Sequence, residues 1–146
     1  METKRRAQLH DCCIVPYRRT DSGIEFCLIT PVSRNRWGFP SVSILDPSRP
    51  DDVPPEQAAK VAGLRGELQG LEPLEIFVAV RGDEERTTAG YLMRVTQIDE
   101  EASWSEQTAQ RRRWCLAEEA RVRIRRKPLR RLIDLALQRI DGREKP

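Results

Sequence analysis

Ten basic residues fall between Arg111 and Arg131, namely Arg111, Arg112, Arg113, Arg121, Arg123, Arg125, Arg126, Lys127, Arg130 and Arg131, against only Glu118 and Glu119. A field of that sign attracts phosphate-rich ligands or nucleic acid. Spread over a helix surface, the same run is a solvated face, because arginine is a good helix former. The aromatic interleaving that stacks single-stranded bases is lacking, since only Trp104 and Trp114 lie near. Soft-metal chemistry is not expected: Cys12, Cys13, Cys27 and Cys115 show no C-x-x-C spacing, and His10 is the single histidine. Cys12 and Cys13 are neighbours in an apolar strand, so they point to opposite faces and read as small hydrophobes with reduced thiols.

A second stretch, from Trp37 to Leu64, has a spacing of its own. It holds Trp37-Gly38-Phe39-Pro40, an irregular polar run, then Glu56-Gln57-Ala58-Ala59-Lys60-Val61-Ala62-Gly63-Leu64. This resembles the Nudix hydrolase superfamily, whose box reads G-x5-E-x7-R-E-U-x-E-E-x-G-U, with U apolar, and commonly follows a W-x-x-P-G-G-type segment. With Trp37 and Pro40 at the W-x-x-P positions, Ser41 and Val42 stand where the glycine pair would be. The box then closes twenty-one residues after Val42, at Gly63, followed by apolar Leu64. Between these ends the chemical positions differ. Ser48 stands at the first glutamate, Glu56 at the arginine, Gln57 at the next glutamate, and Lys60 and Val61 at the last pair.

In the family these glutamates share one face of a short helix and hold magnesium or manganese, which bridges a substrate diphosphate. Hard cations need oxygen ligands, usually carboxylates. Gln57 offers one neutral oxygen, Val61 none, and Lys60 places an ammonium about where the cation would sit. That repulsion is on the order of several kcal/mol in a half-buried site. No metal and no cofactor are therefore expected, and no catalytic residue is assigned within the box. Asp46, Asp51 and Asp52 in the following loop could supply oxygen ligands from new positions, although aspartates beside proline commonly serve as turn and cap residues. The resemblance also offers Arg34 and Arg36, on the loop before Trp37, as phosphate contacts, with a solvated loop as the alternative. Glu100, Glu101 and Glu106 stand in the region that often donates a further glutamate, again with a solvated acidic loop as the alternative. A second piece of resemblance is Arg111 to Ala120, similar to the R-x-W-x-x-x-E-E-A segment near the end of many Nudix domains.

The elements that must position these residues can be read from pattern. Cys12 to Tyr17 and Ile24 to Thr30 are strands joined by the turn Thr20-Asp21-Ser22-Gly23, a β-hairpin. Trp37 to Leu45 contains β-formers, but four prolines within nine residues, from Pro47 to Pro55, make the next interval a stiff loop. A short helix follows, with Asp51 or Asp52 as its cap, Pro54 and Pro55 in its first turn, Glu56 and Lys60 as an i,i+4 pair and Gly63 at its end. Glu75 to Val80 is a strand, Gly82 to Arg86 a charged turn, Thr87 to Ile98 its partner, and Asp99 to Gln110 a polar loop. Trp114 and Leu116 are expected on the buried face of a strand, with Glu118 and Glu119 in the first turn of a helix, where they complement its positive end. From Pro128 onward, Leu129, Leu132, Ile133, Ala136, Leu137 and Ile140 form one apolar stripe of a closing helix.

At 146 residues, 38% hydrophobic and 34% charged with net charge +3, the chain is the size of one domain with a real core. The expected organisation is a basic tail over residues 1–10, a domain over 11–140 and a charged tail over 141–146. The resemblance implies an α/β class, a Nudix-type α/β/α sandwich with a mixed β-sheet in a single domain. No apolar run reaches membrane-spanning length, and no apolar stretch follows the basic start, so a soluble cytoplasmic protein without a membrane partner is expected.

Three functions follow. The first is a non-catalytic binder of a nucleotide or phosphate-containing ligand, with Lys60 as a point charge on phosphate in place of the metal. The second is an active diphosphatase cleaving a nucleoside diphosphate linked to another moiety, using Mg2+ or Mn2+ held by carboxylates outside the glutamate positions of the box, such as Asp51, Asp52, Glu56 or Glu106. The third is a regulatory module that binds RNA or protein through the arginine-rich face, Arg111 to Arg113 above all. The resemblance also implies that two copies could pair as a homodimer.

Overall fold

The sequence from Asp11 to Tyr17 buries every side chain, on both faces of its strand. A strand apolar on both faces must lie inside a sheet covered on both sides. The computed structural model, which describes residues 9–33, 35–46, 48–49 and 52–144, has that architecture. Its strands are β1 (Asp11–Thr20), β2 (Gly23–Pro31), β3 (Ser41–Ser43), β4 (Leu64–Leu68), β5 (Glu75–Arg81), β6 (Glu84–Ile98) and β7 (Gln110–Leu116). Its helices are α1 (Glu56–Val61), α2 (Glu101–Thr108), α3 (Ala117–Arg123) and α4 (Lys127–Glu144).

The strands form one mixed sheet in the order β4-β6-β1-β2-β7, with β3 added beside β1 and β5 beside β6. Only β1 and β6 run parallel, pairing Asp11 with Thr88 through Tyr17 with Arg94. The hairpin of β1 and β2 is paired at its turn end, Tyr17 with Phe26 through Thr20 with Gly23. Where the two strands part, residues 37–43 fill the wedge. Gly38 pairs with Ile29 of β2, Ile14 N–H donates to the Pro40 carbonyl at 2.9 Å, and Ser41 to Ser43 pair with Cys13 to Asp11. The strand expected over Trp37 to Leu45 is thus reduced to β3 and one bridge.

Alternation sorts the core into two layers. Cys13, Val15 and Tyr17 of β1, Phe26 and Leu28 of β2, and Leu92 of β6 pack under α3 and α4, meeting Ala120, Ile124, Leu132, Ile133 and Ala136. Ile14, Cys27 and Met93 point the other way, against Ala58, Ala59 and Ala62 of the α1 region and Trp104 of α2. The apolar stripe of α4 is the one expected, and Arg139 ties that helix down through bonds to the carbonyls of Gln69, Glu72 and Pro73. The four cysteines are free and buried. No helix among the described residues is long and apolar enough to cross a membrane.

Several local expectations need correction. The polar loop expected over Asp99 to Gln110 is largely helix α2, whose one buried side chain is Trp104, with its indole N–H donating to the Val61 carbonyl at 2.9 Å. A helix with one buried side chain leaves no periodic stripe to read. The strand β4 has no sequence signal, because its five residues, Leu-Arg-Gly-Glu-Leu, carry no β-rich run. On β7, Trp114 is half-buried on the α1 side, Cys115 fills the α4 side, and Leu116 is 41% exposed, so Leu116 is not a core residue. The charged turn is shorter than expected, because Glu84 to Arg86 already belong to β6 and pair with Arg81 to Ala79.

Candidate functional site

Helix α1 carries most of the positions that the box resemblance picks out. It starts without a side-chain cap: Pro55 is its N-cap residue, and the Gln57 and Ala58 N–H groups donate to the Pro54 and Pro55 carbonyls. Asp52 pairs with Arg49 at 3.3 Å and does not cap the helix, while Asp51 lies outside the described residues. Ala58, Ala59 and Ala62 are fully buried against the sheet, and such short side chains let the helix lie close to it. Gly63 ends the turn at φ +68. A Cβ there would stand 2.7 Å from Trp104 Cδ1 and 2.9 Å from Arg112 Nη1, so both its conformation and its surroundings require glycine.

The chemical positions fare differently. Glu56, Gln57 and Lys60 are exposed on α1, and Val61 is half-buried. Val42 is half-buried against the α1-side core. Ser48 is exposed and closes a small turn, its N–H and Oγ both bonding Asp46 Oδ1 at 3.0 and 2.6 Å. Those two bonds hold the Asp46 carboxyl below its ordinary range. Glu106 is exposed on α2, and Arg34 lies outside the described residues.

Among the described residues no three His, Cys, Asp or Glu side chains converge as a metal site would require. The donors at 57, 60 and 61 are an amide, an ammonium and an isopropyl group. They do not fit a hard divalent cation, and no chemical step is drawn through one.

A cleft of about 440 Å³ opens beside α1. Val61 lines it, together with Phe39, Thr30, Gln110 and two cations, Arg36 and Arg126. Lys60 is not among its lining residues. Arg36 is placed by the end of β2, where its backbone N–H donates to the buried Thr30 hydroxyl at 2.8 Å. Arg126 belongs to the link between α3 and α4, anchored by buried Ile124 two residues before it. Its guanidinium lies over Gly38, where an added Cβ would stand 2.9 Å from Arg126 Nη2. The glycine of the Trp-Gly-Phe-Pro segment thus makes room for a cation. Gln110 Oε1 is buried with no partner among the described residues.

The arginine run divides by role. Arg112 is a structural residue: its side chain is 4% exposed, stacks over Trp104 and bonds the Ala62, Gly63 and Asp99 carbonyls and Glu101. Arg113 and Arg123 share Glu119, at 2.7 and 2.8 Å, and both bonds hold that carboxyl below its ordinary range. Arg121 pairs with Asp134, and Arg131 with Glu75. Arg111 is exposed, with its guanidinium 5.4 Å from the Trp37 ring centre. Arg36 and Arg126 are therefore the cations that this fold brings to the cleft. The family resemblance offers the first, whereas the second lies unmarked within the arginine run.

No family model and no curated protein matches the chain at the level of sequence. Solved structures do match. A Listeria monocytogenes protein described as a Nudix hydrolase superposes with TM-score 0.65 at 10% identity, over 94% of this chain and 97% of that one. The Ap4A hydrolase of Caenorhabditis elegans gives TM-score 0.65 at 15% identity, over 94% and 99%. NrtR of Shewanella oneidensis gives 0.62 at 16%, over 93% of this chain and 65% of that one; it has also been solved with a 27mer DNA, and its Nudix domain with ADP ribose. These likenesses extend over more than nine-tenths of the chain at TM-scores of 0.62 to 0.65: the chain has the Nudix fold.

Proposed function

We propose that this Nudix-fold chain is a non-catalytic receptor for a nucleotide or another phosphate-containing ligand, bound in the cleft without a metal. One observation carries the reading: the residue that α1 contributes to the cleft lining is Val61, and the charged residues of that lining are two cations, Arg36 and Arg126. Guanidinium forks match phosphate oxygens in pairs and need no cation to mediate. Half-buried Val61 and exposed Val80, which both line the cleft, suit the apolar face of a base or sugar beside the phosphates. The ADP ribose bound by the Nudix domain of NrtR is a ligand of this class in the same fold. Lys60 contributes long-range positive potential from the exposed face of α1 rather than a direct contact. The arginine face itself supports an RNA reading less well, because Arg112 is committed to packing and Arg113 to Glu119.

Binding of ADP ribose and nucleoside diphosphates in excess chelator tests the reading. Binding is expected without metal and is expected to weaken by about ten-fold or more in Arg126→Glu, as loss of a charge-assisted phosphate contact implies. If no member of the panel binds at low salt, the cleft is not a phosphate receptor. If binding appears only with magnesium, carboxylates outside the box hold a metal and the diphosphatase reading replaces this one.

A further inference from the structure

Beside the cleft lies a second pocket of about 240 Å³, enclosed by Asn35, Arg36, Trp37, Arg123, Arg125 and Arg126. Among the described residues no carboxylate lines it. Of its lining cations, Arg123 is bonded to Glu119, which Arg113 shares. Arg36 and Arg125 form no ion pair among the described residues. Several like charges around one small space repel one another, and an anion between them reverses the sign of that interaction.

The polar geometry points the same way. Trp37 donates its indole N–H to Asn35 Oδ1 at 2.9 Å, which orients the amide and leaves the Nδ2–H donors for a ligand. The polar side-chain groups of the lining residues are therefore donors or cations, apart from the Asn35 oxygen already engaged. Trp37 offers no stacking face, because it is buried and the guanidinium groups of Arg111 and Arg123 lie over its ring, at 5.4 and 5.7 Å from the centre. The pocket thus selects by charge and hydrogen bonding, without base stacking.

Arg36 and Arg126 line both this pocket and the cleft. An anion held by these two residues faces both spaces, and a ligand extending past them meets Arg125. We infer that the pocket between residues 35–37 and the Arg123–Arg126 link is a second anion subsite, and that the ligand carries a phosphate chain running from the cleft into it. This inference rests on the reading of the cleft as a phosphate receptor. It places the chain of phosphates at the junction of α3 and α4, away from α1, and leaves the apolar end of the cleft for any base or sugar.

The test is calorimetric titration in chelator at low salt with adenosine monophosphate, adenosine triphosphate and inorganic tripolyphosphate, using the full chain and Arg125→Ala. Arg125 is exposed and lines this pocket but not the cleft, so its substitution leaves the fold and the cleft intact. The triphosphate is expected to bind about ten-fold tighter than the monophosphate, as added charge-assisted contacts imply. Arg125→Ala is expected to remove most of that difference while leaving monophosphate affinity unchanged, and Arg125→Lys to restore part of it. Tripolyphosphate binding as tightly as adenosine triphosphate would name an inorganic chain as the ligand; weaker binding would name a nucleotide. Equal affinity for mono- and triphosphate, or indifference of the triphosphate to Arg125→Ala, overturns the subsite and leaves the cleft standing. No binding of any of the three overturns both.

Discussion

The guanidinium of Arg112 lies 4.5 Å from the centre of the Trp104 ring, and its Nη1 donates to the carbonyls of Ala62 and Gly63 at 2.9 and 3.3 Å. A strand residue and a helix residue thereby close over the end of α1. Gly63, the last glycine of the box frame, is held by this pair and has a packing reason to be there whatever the chemistry of the site. The frame of the box, its glycine and its alanines, is buried; Ser48, Glu56, Gln57 and Lys60, at its chemical positions, are exposed. Packing constrains the first set and leaves the second free of that constraint.

Arg112→Ala is therefore expected to destabilise the protein by about 3 kcal/mol, since it strands backbone acceptors that a buried cation satisfied. Arg111→Ala, on the exposed side of the same strand, is expected to cost under about 1 kcal/mol. Urea midpoints of the two variants provide the comparison. Equal midpoints would deny Arg112 its structural role.

Gly63 and Gly82 separate conformation from crowding. Both have positive φ, +68 and +65, but an added Cβ meets Trp104 at 2.7 Å at the first and nothing within 4 Å at the second. Gly82→Ala is expected to cost about 1 kcal/mol from backbone strain alone, and Gly63→Ala clearly more, on the order of 3 kcal/mol. Thermal unfolding that ranks them the other way would place the Trp104 side chain elsewhere.

The buried thiols make stability fall in alkali. Burial pushes Cys13 and Cys27 up to about 12 and Cys12 up to about 11, from 9.0. The native state then holds protons that the unfolded chain releases, so this stability is complete below about pH 8.5 and is lost as pH rises toward 12. The urea midpoint is expected to drop between pH 8 and 10.5. Cys27→Ala starts lower, from lost packing, and falls less steeply; a slope identical to that of the parent would assign the alkaline loss to other groups.

Restoring carboxylates to α1 tests what the helix lacks. Positions 57, 60 and 61 are related by i,i+3 and i,i+4 spacing and share a face. The triple variant Gln57→Glu, Lys60→Glu, Val61→Glu is expected to gain a melting-temperature rise with magnesium that the parent chain lacks. Absence of that gain would mean that the helix does not present these positions jointly.

Much of the fold was legible because both periodicities are strong. The β1–β2 hairpin, the β5–β6 pair and the stripe of α4 follow from pattern, and Trp37, Pro40 and Gly63 mark the frame by spacing. Helix α2 was not legible, because Trp104 is its one buried side chain, and neither was β4, which is short and interrupted by Gly66. The site was legible in part. Arg36 lies on the loop that the family resemblance offers, whereas Arg126 reaches the cleft only because α4 folds back over Gly38, a contact 88 residues apart in sequence that no local pattern records. Arg112 illustrates the converse: inside a run of three arginines nothing distinguishes the one that is buried.

The most direct test of the account is titration of the parent chain with nucleoside diphosphates and ADP ribose, first in chelator and then with magnesium or manganese, with released phosphate and nucleotide assayed in the same samples. The account predicts binding heat in chelator, unchanged affinity on adding metal, and no release. Metal-dependent release would contradict it, and would mean that carboxylates outside α1 have rebuilt a catalytic centre.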